Sequence, residues 1–175
     1  MAKLLYSATM SLDGYIAGPG GDMSWLTDHL GPPNPTADRL LSQVGAILAG
    51  NGTFGGSDPN QGTDKEGAFG GQYHGPVFIL THRPPDEPVE GLTFVGDLKT
   101  AVAKAKEAAG DRYVNILGAN VAKQCIEAGL LDEVLVFIAP VLLGDGVQLF
   151  NNPGGERVRL EPLPGESAHW YRVAH

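Results

Sequence analysis

The sequence predicts an α/β domain built around a central mixed, mostly parallel sheet, and three observations lead there. Strand and helix signals alternate through the first two thirds of the chain, the last third is rich in strand signals, and 175 residues with 42% hydrophobic content suffice for one compact core. The whole of 1–175 is therefore read as a single domain.

The first strand covers residues 3–10, a short apolar run ending at the turn signal Ser11-Leu12-Asp13-Gly14, where Asp-Gly is first of all turn chemistry. A glycine loop at 18–22 follows, then a short helix at 36–42 entered through the proline-rich stretch 32–35. Residues 46–49 form a buried strand that stops at Gly50-Asn51-Gly52-Thr53, a turn whose backbone amides can face an anion. From 55 to 75 the chain is rich in Gly, Asp, Asn and Gln, which predicts a long loop inside the domain.

Strands at 77–80 and 92–95 come next, separated by the Pro84-Pro85 break, with Thr81-His82-Arg83 at the end of the first. Asp97 caps a helix over 98–109 that Gly110 ends. The strand at 113–117 feeds Gly118-Ala119-Asn120 and a helix running to about 128, stopped by Gly129. That helix start is a second anion candidate, because its first amides lack intrahelical partners and carry the positive end of the dipole. Strands at 133–138, 141–143, 157–160 and 169–173 complete the order.

Composition narrows the function classes. A net charge of −8 with no basic stripe argues against a nucleic-acid partner. The opening Met-Ala-Lys-Leu-Leu-Tyr predicts neither signal peptide nor membrane span. The single cysteine, Cys125, rules out an intrachain disulfide and a metal cluster, suits the reduced cytoplasm, and reads as a core residue on an apolar helix face.

Four segments, in this order and each at a strand end, carry a likeness: Ser11-Leu12-Asp13-Gly14-Tyr15-Ile16-Ala17; Ile47-Leu48-Ala49-Gly50 with Thr53; Ile116-Leu117-Gly118-Ala119-Asn120-Val121; and Leu130-Leu131-Asp132-Glu133 running on to Pro140-Val141-Leu142-Leu143-Gly144-Asp145-Gly146. Together they resemble the reductase domain of bacterial riboflavin-biosynthesis deaminase-reductases and its stand-alone dihydrofolate-reductase-like relatives. The resemblance spans nearly the whole chain. It implies a dihydrofolate-reductase-like three-layer α/β/α fold, NADPH as cofactor, a small planar heterocycle, pterin-like or pyrimidine-like, as substrate, and a homodimer formed through strands such as 134–138.

Carried over position by position, the resemblance places Thr53 on the cofactor phosphates, with Gly50 and Gly52 letting the backbone approach. Gly118, Ala119, Asn120 and Val121 would hold the pyrophosphate on their amides. Thr81, His82 and Arg83 fall where such folds bind the adenosine 2′-phosphate, a group suited to a guanidinium fork; the plain alternative is a solvated loop cation. Trp25 falls beside the nicotinamide, or is an ordinary core aromatic. Asp38 is the nearest equivalent of the carboxylate that aids protonation in dihydrofolate reductases; Asp28 is its rival, and a charge on a solvated helix face is the plain alternative. Phe69, Tyr73 and His74 either close over substrate or anchor the loop. Two departures stand out. Ile116 occupies the position of a substrate-binding Glu in the riboflavin-pathway reductases, which speaks against that role. The zinc deaminase pattern His-x-Glu with Pro-Cys-x-x-Cys is also missing, so deamination is excluded.

Overall fold

A computed structural model describes residues 1–29, 33–54, 58, 60–166 and 168–175. In chain order they form β1 (Leu4–Ser11), β2 (Tyr15–Ala17), two short 3-10 helices (Pro19–Gly21 and Ser24–His29), α1 (Pro35–Gln43), β3 (Val44–Gly50), α2 (Asn51–Phe54), β4 (Val77–Leu80), β5 (Leu92–Val95), α3 (Leu98–Ala109), β6 (Tyr113–Leu117), α4 (Ala119–Glu127), β7 (Glu133–Ala139), β8 (Val147–Gln148), β9 (Leu160–Pro162) and β10 (His169–Val173). The strands order as β5-β4-β3-β6-β1-β7-β10-β9, with β2 and β8 in a separate two-stranded pair.

The six strands from β5 to β7 run parallel, and β10 and β9 add antiparallel pairings at one edge. Parallel strands covered on both faces need near-continuous apolar runs, which Leu-Leu-Tyr at 4–6 and Ala-Ile-Leu-Ala at 46–49 supply. On one face, Ala101, Val102, Ala105 and Ala109 of α3 and Val121, Ala122 and Cys125 of α4 pack against Leu4, Tyr6, Leu48 and Ile116. On the other, Leu40 of α1 and Trp170 meet Leu5, Ile47, Ala49 and Leu135, with Phe69 and Tyr73 of the 60–75 segment packed alongside. The result is the mixed, mostly parallel sheet between two covering layers that the sequence predicts.

Local chemistry explains the helix starts. The Asn34 side chain accepts from the Ala37 amide at 3.1 Å, and Asp97 accepts from Thr100 at 2.9 Å. Close packing also needs Gly45, since a Cβ there would stand 2.5 Å from the Ala109 carbonyl oxygen.

Several strand boundaries differ from expectation. Residues 141–143 form no strand, and two strands not anticipated, β2 and β8, pair with each other instead. Asp13 is the cause: its carboxylate accepts from the Ser11 hydroxyl at 2.5 Å, the Leu143 amide at 3.0 Å and the Gly144 amide at 2.7 Å. Those amides are therefore unavailable to a ladder. The last short strand is Leu160–Pro162 where 157–160 is expected, because its register is set by β10, which pairs Val173 with Leu160 and Tyr171 with Pro162. α2 is likewise additional to the sequence reading. Within the expected 55–75 loop and 32–35 entry, residues 55–57, 59 and 32 lie outside the described residues; Asp58 accepts from the amides of Asn60 and Gly67 and folds the described part of the loop on itself.

The donors on Asp13, led by Ser11 and Leu143, hold its carboxyl below the ordinary 3.8. A depressed folded pKa stabilises the fold fully above the unfolded value and ceases to do so as pH falls through the folded one. Asp13→Asn is accordingly expected to melt below the wild type at neutral pH, with the gap closing as pH drops below about 3.8. A thermal melting series over pH checks this; a gap constant with pH would remove the carboxylate from the account.

Candidate functional site

The order of connections creates the crevice. β3 and β6 are neighbours, yet the chain leaves β3 toward β4 on one side and leaves β6 toward β7, across β1, on the other. Loops departing in opposite directions from the carboxyl ends of adjacent parallel strands leave a gap between them, and ligands of open α/β sheets bind in such gaps.

Two of the turns read from the sequence meet there. Gly50 ends β3, Gly118 follows β6, and the strands are in register from Ala46 with Val114 to Ala49 with Leu117. A Cβ on Gly118, whose φ is +97°, would stand 2.7 Å from Thr53 Oγ1, and a Cβ on Gly50 would stand 3.2 Å from Val121 Cγ2. So Gly50, Thr53, Gly118 and Val121 form one constellation from positions far apart in the chain. Gly118 is the N-cap of α4, and no side chain caps that helix. Among the described residues, then, the first-turn amides of Ala119, Asn120 and Val121 face the crevice end without a side-chain acceptor, carrying the positive end of the helix. The Asn120 side chain accepts from Gln124 at 2.6 Å, and the Val121 side chain is buried. Gly52 is exposed on α2, which Phe54 pins to β5 through an edge contact with Phe94, centroids 5.5 Å apart.

Thr81, His82 and Arg83 continue from β4, the next strand out, so they flank the same sheet edge. Thr81 is buried, with its amide on the Val95 carbonyl and its hydroxyl accepting from the Arg83 amide at 3.0 Å. His82 and Arg83 are exposed. Trp25 sits half-buried in the 3-10 helix Ser24–His29, its ring 6.3 Å from that of His29, and its Nε1 is buried with no hydrogen-bond partner among the described residues.

Asp38 lies in the first turn of α1. Leu40 turns into the core, and Asp38, two residues away and thus on the opposite side of α1, is exposed. Asp28 is exposed as well. Ile116 is fully buried against the α3 and α4 layer, while Tyr73 and Phe69 pack against the opposite core, Tyr73 donating to the Pro76 carbonyl at 3.0 Å.

One pair escaped the sequence reading. Asn115, completely buried in β6, accepts from the Ser7 hydroxyl of β1 at 2.7 Å. The available signal was a lone amide inside Tyr-Val-Asn-Ile-Leu, a run otherwise apolar or aromatic.

Among the described residues, no three His, Cys, Asp or Glu side chains are arranged to hold a metal ion, and no helix is long and apolar enough to cross a membrane. The fold is that of the dihydrofolate-reductase-like proteins. Dihydrofolate reductase from Enterococcus faecalis, solved with NADP(H), superposes with a TM-score of 0.58 at 17% identity, covering 98% of this chain and 94% of that one. A Shewanella sp. PV-4 protein provisionally placed in riboflavin biosynthesis matches with a TM-score of 0.73 at 23% identity over the full length of both chains. Residues 2–164 match the RibD C-terminal domain, and the chain belongs to that family. YyaP of Bacillus subtilis strain 168, itself uncharacterised, is 28% identical over 153 residues, which is 85% of this chain and 80% of that protein.

Proposed function

We propose that this protein is an NADPH-dependent reductase acting on a small planar heterocycle, pterin-like or pyrimidine-like. The observation that carries this reading is the meeting of Thr53 and Gly118 at the switch point of the sheet, beneath a helix start that no side chain caps. The cradle fits a pyrophosphate: a side chain at Gly118 would fill it, and the amides of Ala119, Asn120 and Val121 supply donors. Thr53 would add a hydroxyl. Arg83, His82 and Thr81 would meet the adenosine phosphate that distinguishes NADPH from NADH. Trp25, whose indole N–H has no partner among the described residues, would border the nicotinamide. When bound, the cofactor supplies a hydride, and the protein's part is binding, orientation and exclusion of water.

A second reading is a nucleotide-binding protein of the same fold without turnover. Ile116 favours it, standing where the riboflavin-pathway reductases carry a substrate-binding Glu. The homodimer reading is supported by Ile138, Leu142 and Leu12, exposed apolar side chains about the carboxyl end of β7 and the loop it meets, and the cytoplasmic one by the single cysteine, Cys125.

Titration of the purified protein with NADPH and NADH, followed by nucleotide fluorescence, tests the cofactor reading. Saturable binding that favours NADPH is expected, with the preference lost in Arg83→Ala. Absence of binding to either nucleotide would end the reductase reading, whereas binding without NADPH oxidation across a heterocycle panel would select the second one.

A further inference from the structure

The order of strands divides the crevice into two halves. On the cofactor reading, Arg83 draws the adenosine end over β4, while Thr53 and Gly118 hold the pyrophosphate between β3 and β6. The nicotinamide end then extends the other way along β4-β3-β6-β1-β7, toward the carboxyl end of β1. A hydride acceptor is accordingly met by the segments that leave β1 and β7 and enter α1, residues 12–38 and 140–149. The two segments are joined: the Leu12 amide donates to the Val141 carbonyl at 2.8 Å, the Leu149 amide to the Gly14 carbonyl at 2.8 Å, and β2 pairs with β8.

The fixed charges of these segments have one sign. They include Asp13, Asp22, Asp28, Asp38 and Asp145, and neither segment holds a lysine or arginine; the one histidine, His29, lies against Trp25. All five carboxylates are exposed. Hydrogen bonds from the Ser11 hydroxyl to Asp13 and from the Ser24 amide to Asp22 hold both carboxyls below the ordinary 3.8, so they are ionised at neutral pH. The adjoining cations are balanced by acids. Arg39, next after Asp38, pairs with Glu166 at 2.5 Å and lies over the Trp170 ring, 5.4 Å from its centroid. Between 51 and 76, the segment that leaves β3, Lys65 is the sole lysine or arginine, and it is flanked by Asp64 and Glu66.

A bound phosphate sheds water, and a cation or a set of aligned amides must replace it. The nucleotide half of the crevice has both, in Arg83 and the uncapped start of α4, whereas the acceptor half carries carboxylates. We infer that the hydride acceptor is a heterocycle free of phosphate and other acid groups, uncharged or positively charged at neutral pH. The inference rests on the reductase reading, which decides the half of the crevice that meets the acceptor. Each carboxylate acts weakly through water over a Debye length of about 10 Å, but all act in one direction and no opposite charge in the two segments offsets them. A heterocycle bearing a sugar phosphate is therefore turned away by charge before its ring is read.

The probes are 6-hydroxymethylpterin with its phosphate monoester, and uridine with uridine monophosphate, titrated calorimetrically into protein saturated with NADP⁺ so that the nucleotide half is filled. In at least one pair the alcohol is expected to bind about tenfold or more tightly than the ester at about 20 mM salt. Raising the salt to about 500 mM is expected to bring the ratio to within about threefold, because screening removes the repulsion. The combined substitution Asp22→Asn, Asp28→Asn and Asp145→Asn is expected to do the same at low salt while keeping a side-chain acceptor for Ser24. A ratio set by fit alone would respond to neither. The inference is overturned if either ester binds as tightly as its alcohol, if the ratio is indifferent to salt or to the three substitutions, or if no member of either pair binds. NADP⁺ binding is measured first: its absence removes the reductase reading, whereas its presence beside any of these results removes only the charge assignment.

Discussion

Glu133→Ala is expected to lower stability by about 3–5 kcal/mol, because it leaves the Trp170 indole N–H and the Tyr113 hydroxyl without their acceptor, at about 1–3 kcal/mol each, and a cavity where the side chain was. Glu133 is 1% exposed at the start of β7, and its carboxylate accepts from Lys3 Nζ at 2.9 Å, the Tyr113 hydroxyl at 2.8 Å and the Trp170 indole N–H at 2.8 Å. Lys3 is half exposed and can return to water. The indole N–H of Trp170 cannot, since that residue is only 4% exposed and sits under the Arg39 guanidinium, 5.4 Å from its ring. Burial and the bond to Glu133 push the Tyr113 phenol well above its ordinary value, so it remains a neutral donor throughout the working pH range. At roughly 2–4 °C per kcal/mol for a chain of this size, the expected fall in Tm is about 10 °C. Glu133→Gln keeps an acceptor for Tyr113 and Trp170 and is expected to recover most of the loss. Nucleotide affinity is expected to be unchanged in Gln, because Glu133 lies at the amino ends of the strands, away from the crevice. A Glu133→Ala protein within about 1 kcal/mol of wild type by denaturant unfolding would show that the three donors find water.

The second large effect is on binding. Gly118→Asp is expected to weaken NADPH by at least about 100-fold, since a carboxylate about 4 Å from a phosphate near a protein surface opposes it by roughly 4 kcal/mol. Gly118→Ala separates shape from charge. Its Cβ would meet Thr53 Oγ1, and φ of +97° strains any side chain there, so a smaller loss, about tenfold, is expected, part of it restored by adding Thr53→Ala. Fluorescence titration reads all three proteins. Wild-type affinity in Gly118→Asp would move the phosphate site away from α4.

How far the fold and site could be read in advance depended on whether the decisive interaction was local. β4, β5, β6 and α3 lie where apolar runs, Asp97 and Gly110 place them, because strand length and capping are matters of a few adjacent residues. The expectation of a strand at 141–143 failed on a carboxylate 130 positions earlier in the chain, and β8 exists through β2 and through the Leu149 amide on the Gly14 carbonyl. β9 is exposed on both sides and ends in Pro162, so it has no alternation to read. The crevice divides in the same way. Its glycines and threonine were visible as turn chemistry, but that Thr53 touches the Gly118 position follows only from β3 and β6 being neighbours, which no window of sequence states. Asn115 and Ser7 were hidden for a simpler reason: single polar residues in apolar strands look like noise until their register places them on one face.

The position of β1 has a consequence for how this chain is made. Within this domain β1 is made before its partners, β6 and β7, which place Asn115 beside Leu5 on one side and Glu133 on the other. The centre of the sheet therefore cannot close during elongation until residues as late as Ala139 have left the ribosome. Until then a strand beginning Leu-Leu-Tyr travels unpaired, while β3, β4 and β5, which follow one another in both sequence and space, can assemble around α3. Such late, long-range closure is slow and leaves the apolar edge of β1 unpaired while the rest of the sheet is made.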